Sequence, residues 1–127
     1  MALQRNHISD TRSNERAYSR AVVTSGGKTI WLAGQTASAT TIDFEAQTRE
    51  VFARLDETIK SAGGHGLSDM VTMTVFINDP RHGDRFVGIR KQIFGNNFPG
   101  SALITVSHFA RPGILVEVQG VAVIDSI

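Results

Sequence analysis

Ile114-Leu115-Val116-Glu117-Val118-Gln119-Gly120-Val121-Ala122-Val123-Ile124 is the stretch on which the fold turns. Side chains alternate across a strand, so Ile114, Val116, Val118, Ala122 and Ile124 share one face. Leu115, Glu117, Gln119, Val121 and Val123 share the other, and three of those five are aliphatic. A strand with one face in water has no need of so much apolar surface on both sides. Something must cover each face, and Glu117 and Gln119 then lie buried or half-buried among aliphatic neighbours.

Working back from this strand, Ala110-Arg111-Pro112-Gly113 reads as a turn, preceded by a strand near Ser101 to Phe109. Phe86, Ile89, Ile93 and Phe94 recur at helical spacing between His82 and Phe94, and Gly95-Asn96-Asn97 closes that helix. Val71 to Ile77 is a strand apolar enough on both sides to be central. A longer amphipathic helix runs from Asp43, a candidate N-cap, to Ala62, with Phe44, Val51, Phe52, Leu55, Ile59 and Ala62 on its apolar stripe and Gly63-Gly64 as its stop. Ala17 to Thr24 and Thr29 to Thr36 flank Ser25-Gly26-Gly27-Lys28, which signals a hairpin. Residues 1–16 are polar and aperiodic and read as a mobile or edge-bound N-terminal arm. The expected order is ββαβαββ, a single α+β domain over residues 1–127 with a mixed sheet. Two helices cover one face of such a sheet. The other face is expected to be covered by further copies of the chain.

Composition narrows the function. With 127 residues, 13 Lys and Arg against 12 Asp and Glu, and a net charge of +1, there is no global field to attract nucleic acid, acidic substrates or membranes. The absence of cysteine excludes disulfides, thiolate nucleophiles and zinc-thiolate sites. No run approaches the roughly 18 apolar residues of a membrane span, and no signal-peptide h-region opens the chain. A cytoplasmic protein is expected.

Two glycine-rich segments resemble phosphate loops only superficially. Gly26-Gly27-Lys28-Thr29 lacks the glycine five positions before Gly27, where Val22 stands, and is better read as a hairpin turn. Gly63-Gly64-His65-Gly66 stops a helix, and no strand feeds it. His7, His65, His82 and His108 show no metal-ligand spacing. No metal or cofactor is expected. His108, at the end of the penultimate strand, is the histidine nearest to a prospective cleft.

Several segments in order carry a family resemblance. Ala17-Tyr18-Ser19-Arg20-Ala21 precedes Ile30-Trp31-Leu32-Ala33-Gly34-Gln35; Ala46-Gln47-Thr48-Arg49 lies in the long helix before Ala62-Gly63-Gly64; Val71 to Ile77 comes next; Phe98-Pro99-Gly100-Ser101-Ala102-Leu103-Ile104-Thr105-Val106 and Ile114 to Ala122 complete the set. Over roughly residues 17–125 this pattern resembles the Rid (YjgF) family. The resemblance implies a chorismate-mutase-like fold, a homotrimer, and clefts between subunits in which enamines or imines are hydrolysed to ketoacids and ammonia. It implies Glu117 as the catalytic acid/base and Tyr18, Gly34, Ser101 and Leu103 as substrate-binding positions.

Three positions depart from the family pattern. Ser101 stands where imine-hydrolysing members carry an arginine for the substrate carboxylate, Val87 stands where they carry an asparagine, and Ala33 replaces a serine. A guanidinium offers a charged bidentate fork, whereas a serine offers one neutral hydrogen bond, a difference on the order of a few kcal/mol for a desolvated carboxylate. Arg20, Arg90, Arg111 and His108 are the candidates to replace it. The expected function is binding of a small metabolite in the clefts, with hydrolysis or deamination of an imine, enamine or amino-substituted acid other than the usual small 2-imino acids. The alternative is a non-enzymatic metabolite-sensing or protein-binding trimer.

Overall fold

In the computed structural model, which describes residues 2–126, the last strand is the second member of a four-stranded sheet. Among the described residues there are six strands: β1 (Gln4–Ile8), β2 (Ala21–Ser25), β3 (Lys28–Gln35), β4 (Met70–Ile77), β5 (Gly100–Thr105) and β6 (Val116–Ile124). They are joined by helices α1 (Thr11–Glu15), α2 (Phe44–Ser61) and α3 (Gly83–Phe94). The main sheet has the order β3-β6-β4-β5, with β6 antiparallel to both neighbours and β4 parallel to β5. Parallel neighbours need a crossover, and α3 supplies it.

The faces of β6 divide as the alternation demands. Val116, Val118, Ala122 and Ile124 are buried with Val51, Phe52, Leu55 and Ile59 of α2 and Phe86 and Ile89 of α3. Gln47 of α2 ties the strand's approach to the helix: its amide donates to the Gly113 carbonyl at 2.9 Å and accepts from the Leu115 N–H at 2.9 Å. Glu117 and Val121 on the opposite face are half-buried, and Gln119 is exposed. Val123 is the exception on that face. It is buried because the N-terminal segment closes over it, with Arg5 of β1 donating to its carbonyl.

The N-terminal region differs most from expectation. The arm expected over residues 1–16 contains β1, which pairs antiparallel with β2, and α1, whose Asp10 N-cap exchanges hydrogen bonds with Ser13 in a capping box. The two runs around Gly26-Gly27 do not form a ladder with each other: β2 pairs with β1 and β3 with β6. Both glycines have positive φ, and a Cβ on Gly27 would come within 2.6 Å of the Ile124 carbonyl. The turn therefore hands the chain from one sheet to the other over the end of β6. The penultimate strand also ends at Thr105 rather than Phe109, which leaves His108 exposed in the loop beyond it.

Asp69, almost wholly buried, accepts from Arg5 at 2.7 Å and from the backbone N–H of His65 at 2.6 Å, locking β1 to the segment before β4. No helix among the described residues is long and apolar enough to cross a membrane. At Gly120, which pairs with Met73 next to the β4 bulge between Met70 and Thr72, a Cβ would collide with the Thr72 carbonyl and lie 3.2 Å from the Met73 Cα. Gly120→Ala is expected to lower stability by about 1–3 kcal/mol, as overpacking against backbone does, read from the midpoint of urea unfolding.

Candidate functional site

Glu117 owes its placement to the register of the sheet. It pairs with Phe76 of β4, so both side chains stand on the face away from the helices. On the other side of β6 the ladder with β3 shifts between Leu32, opposite Gly120, and Gln35, opposite Val118. Ala33 and Gly34 lie inside that bulge, a device that bends a strand and re-aims its side chains. The Glu117 carboxylate reaches over Gly34: a Cβ there would sit 2.5 Å from its Oε2 and 3.1 Å from its Cδ. Glycine at position 34 is what allows the carboxylate to occupy that place. None of the ion pairs among the described residues includes Glu117.

Tyr18, Ser101 and Leu103 are elsewhere. Ser101 pairs with Met73 and Leu103 with Val75, and both partners belong to the helix-covered core. Ser101 and Leu103 therefore face α3, whereas Glu117 faces away from it. Tyr18 is brought to β5 by its neighbours. Ser19 forms a bridge with Gly100, and its N–H donates to the Pro99 carbonyl at 2.9 Å. Ala17, in the left-handed region at φ 60°, is fully buried against Val87 and Phe98. Val87 is thus an apolar anchor for the tyrosine segment. Within one protomer Glu117 lies with Gly34 on one side of the sheet, while Ser101 faces the other side and the Tyr18 segment runs alongside β5.

Of the four cations considered as substitutes at position 101, only Arg90 reaches it. Its Nη1 donates to Ser101 Oγ at 2.6 Å, and its Nη2 to the Arg16 carbonyl at 3.1 Å. Burial lowers the Arg90 pKa to about 10; Arg16 pushes the same way and Tyr18 opposes it. Arg111 is committed to the loop after β3, donating to the Ala37 carbonyl at 2.8 Å. Arg20 is exposed, 3.9 Å from Asp10. Spacing alone does not single out Arg90, because its period in α3 is that of a core residue. The informative signal is its place one turn after Phe86 on the buried stripe, where an ionised side chain is out of pattern.

The fold and the site together define a small α+β protein with an accessible carboxylate on an uncovered sheet face. Residues 10–124 match the model of the endoribonuclease L-PSP family. A RutC family protein of Pyrococcus horikoshii is 26% identical over 111 residues, covering 83% of this chain and 85% of its own. Among solved structures, the Rid family protein YyfB of Yersinia pestis superposes with a TM-score of 0.81 at 26% identity, covering 94% of this chain and 98% of that one. Rv2704 of Mycobacterium tuberculosis, a member of the YjgF/YER057c/UK114 family, superposes with a TM-score of 0.69 at 32% identity, covering 95% and 100%. The chain belongs to the L-PSP/YjgF/Rid family.

Gly34→Ala is expected to move the Glu117 carboxylate while costing at most about 1 kcal/mol, because the far end of a flexible side chain can give way where a backbone cannot. A crystal structure of the variant, with a thermal melt beside it, checks both parts.

Proposed function

We propose that this chain assembles as a homotrimer and binds a small metabolite in clefts between subunits, where Glu117 handles water and protons in the hydrolysis of a carbon–nitrogen double bond. The observation that carries the reading is the Glu117 carboxylate. It lies over Gly34 on an open sheet face, with no ion pair among the described residues, and is flanked by the half-buried Phe76. A carboxylate so placed can accept a proton from water as the water attacks an imine carbon and return it to the departing nitrogen. The products are a carbonyl compound and ammonia or an amine, and no cofactor is needed to balance the step.

The trimer is supported by the uncovered face. Trp31 is 81% exposed on β3, Ile104 is 43% exposed on β5, and Phe76 and Val121 lie between them. An apolar surface of this kind on a small protein is a contact surface. Assembly would also answer the division of Tyr18 and Ser101 from Glu117 and Gly34, since a second copy can set one pair against the other. RNA cleavage, to which the family's descriptive name refers, would need a basic surface for the phosphate backbone, and a net charge of +1 offers little.

Ser101 supplies a neutral hydroxyl where a charged fork would clamp both carboxylate oxygens, so short 2-imino acids are expected to be poor substrates. An imine generated in situ by an amino-acid oxidase from a long-chain amino acid, with its disappearance followed as this protein is added, tests the activity. Glu117→Gln should remove whatever acceleration the protein gives, by a factor of about 100 or more for a general acid/base. An undiminished rate in that variant would refute the proton-transfer role.

Val121→Asp should dissociate the assembly by placing an unpaired charge in its interface. Light scattering reads the mass. The single tryptophan gives a second readout, because Trp31 passes from contact to water and its emission should shift to the red.

A further inference from the structure

Strand β1 turns polar residues inward. Side chains alternate along Gln4–Ile8, and the pair that faces the domain, half-buried, is Arg5 and His7, while Ile8 is exposed. A flap held only by packing would bury the isoleucine and leave the charge in water. Arg5 and His7 instead line a cavity of about 540 Å³ between β1, the turn that leads into β4 and the end of α3. Ligand pockets run from about 300 to 1,000 Å³, so there is room for more than a single small ion. The cavity includes Asp69, the residue before β4 begins, whereas Glu117 pairs with Phe76 near that strand's end. At about 3.3 Å per residue the two lie about 20 Å apart along the strand, so the cavity is separate from the Glu117 carboxylate.

The cavity wall is rich in hydrogen-bond donors. Arg5 makes its hydrogen bonds through Nη2, to Asp69 and to the Val123 carbonyl, and its buried Nε has no partner among the described residues. His65 offers its imidazole at the mouth, with the side chain 80% exposed. A tight glycine turn puts it there: a Cβ on Gly64 would lie 2.7 Å from Asp69 Oδ2. Asn96 and Asn97 add exposed amides from just beyond α3. Asp69 is the one carboxylate in the wall among the described residues, and it is closed to a ligand. Arg5 occupies its Oδ1, the His65 N–H occupies its Oδ2, and its side chain is 4% exposed. Leu67, Ile93 and Phe94, all half-buried, give the same cavity an apolar wall.

We infer that this cavity binds a small phosphate monoester, with its phosphoryl group among Arg5, His7 and His65 and its organic part against Leu67, Ile93 and Phe94. Donors that converge from three elements suit a tetrahedral group with acceptor oxygens in several directions, whereas a carboxylate presents two oxygens in one plane. A guanidinium and protonated imidazoles give such a group charge-assisted hydrogen bonds. The charged and titratable groups lining the cavity around His7 are Arg5, His65 and Asp69, and its partner across the β1–β2 ladder is the uncharged Val22. Arg5 and Asp69 cancel, so the two imidazoles decide the net charge. Burial, and then the like charge of Arg5, hold the His7 imidazole below its usual pKa. A phosphoryl dianion opposes both effects, so its binding takes up a proton. The inference is independent of the Glu117 reading, since neither site uses a residue of the other.

The test titrates phenyl phosphate, inorganic phosphate and benzoate into the full chain near neutral pH and follows the imidazole NMR signals of His7, His65, His82 and His108. The first two line the cavity; the last two do not, and they report any effect elsewhere on the surface. Phenyl phosphate should shift His7 and His65 saturably and leave the other two in place, with the His7 pKa moving upward in the complex. It should bind about tenfold more tightly than inorganic phosphate, through the apolar wall, and about tenfold more tightly than benzoate, through the dianion. His7→Gln and His65→Gln should each weaken phenyl phosphate about fivefold or more, with little change in thermal melting, since neither side chain belongs to the core. Inorganic phosphate binding as tightly as the ester would overturn the organic subsite, and benzoate doing so would overturn the choice of anion. No saturable shift at His7 and His65, a shift of the same size at His82 or His108, or undiminished affinity in both variants would overturn the site.

Discussion

Strand β6 is hydrogen-bonded on both sides, to β3 and to β4, and the rest of the molecule is arranged by that pairing. Its inward residues bring both helices to one face, and its outward residues place Glu117. The two neighbours adapt to it rather than the reverse. β4 bulges beside Gly120 and β3 bulges opposite Gln119, so each irregularity in the sheet occurs against this strand. A one-residue slip would exchange Val116 and Val118 for Glu117 and Gln119 in the core, a cost no compensating contact could recover.

The central elements were legible because their patterns are long. The apolar stripe of α2 specified it nearly to the residue, from Asp43 as its cap to the glycines beyond Ala62. The two-sided hydrophobicity of Val71 to Ile77 marked a strand with neighbours on both edges, and β4 has them. What was not legible depends on contacts far apart in the chain. Gln4–Ile8 carries no alternation strong enough to announce a strand; it becomes one because β2 offers an edge and Asp69 holds Arg5. The glycine pair at 26 and 27 has the local signature of a hairpin, but it meets the carbonyl of Ile124, about a hundred residues away.

The same distinction governs the site. The residue types at 18, 34, 101 and 117 could be read along the chain, whereas their division between two faces of the sheet could be read only from register. Position 101 is instructive. A serine on a strand, read alone, carries no charge. In three dimensions a charge lies beside it, because Arg90 of α3 donates to its hydroxyl. Val87 shows the complementary case: a position that could have served polar chemistry instead holds Ala17 in its unusual backbone conformation, and so holds Tyr18 against β5.

The placement of β6 between β3 and β4 also bears on how the chain matures. During vectorial synthesis, residues 28–35 emerge long before residues 116–124, the strand with which β3 forms its ladder. β3 therefore waits as an open edge that carries Trp31, until nearly the whole domain has left the ribosome. Pairings so distant in sequence raise the contact order and slow folding. The nascent chain is consequently most exposed to β-sheet association with other chains just before its final strand arrives.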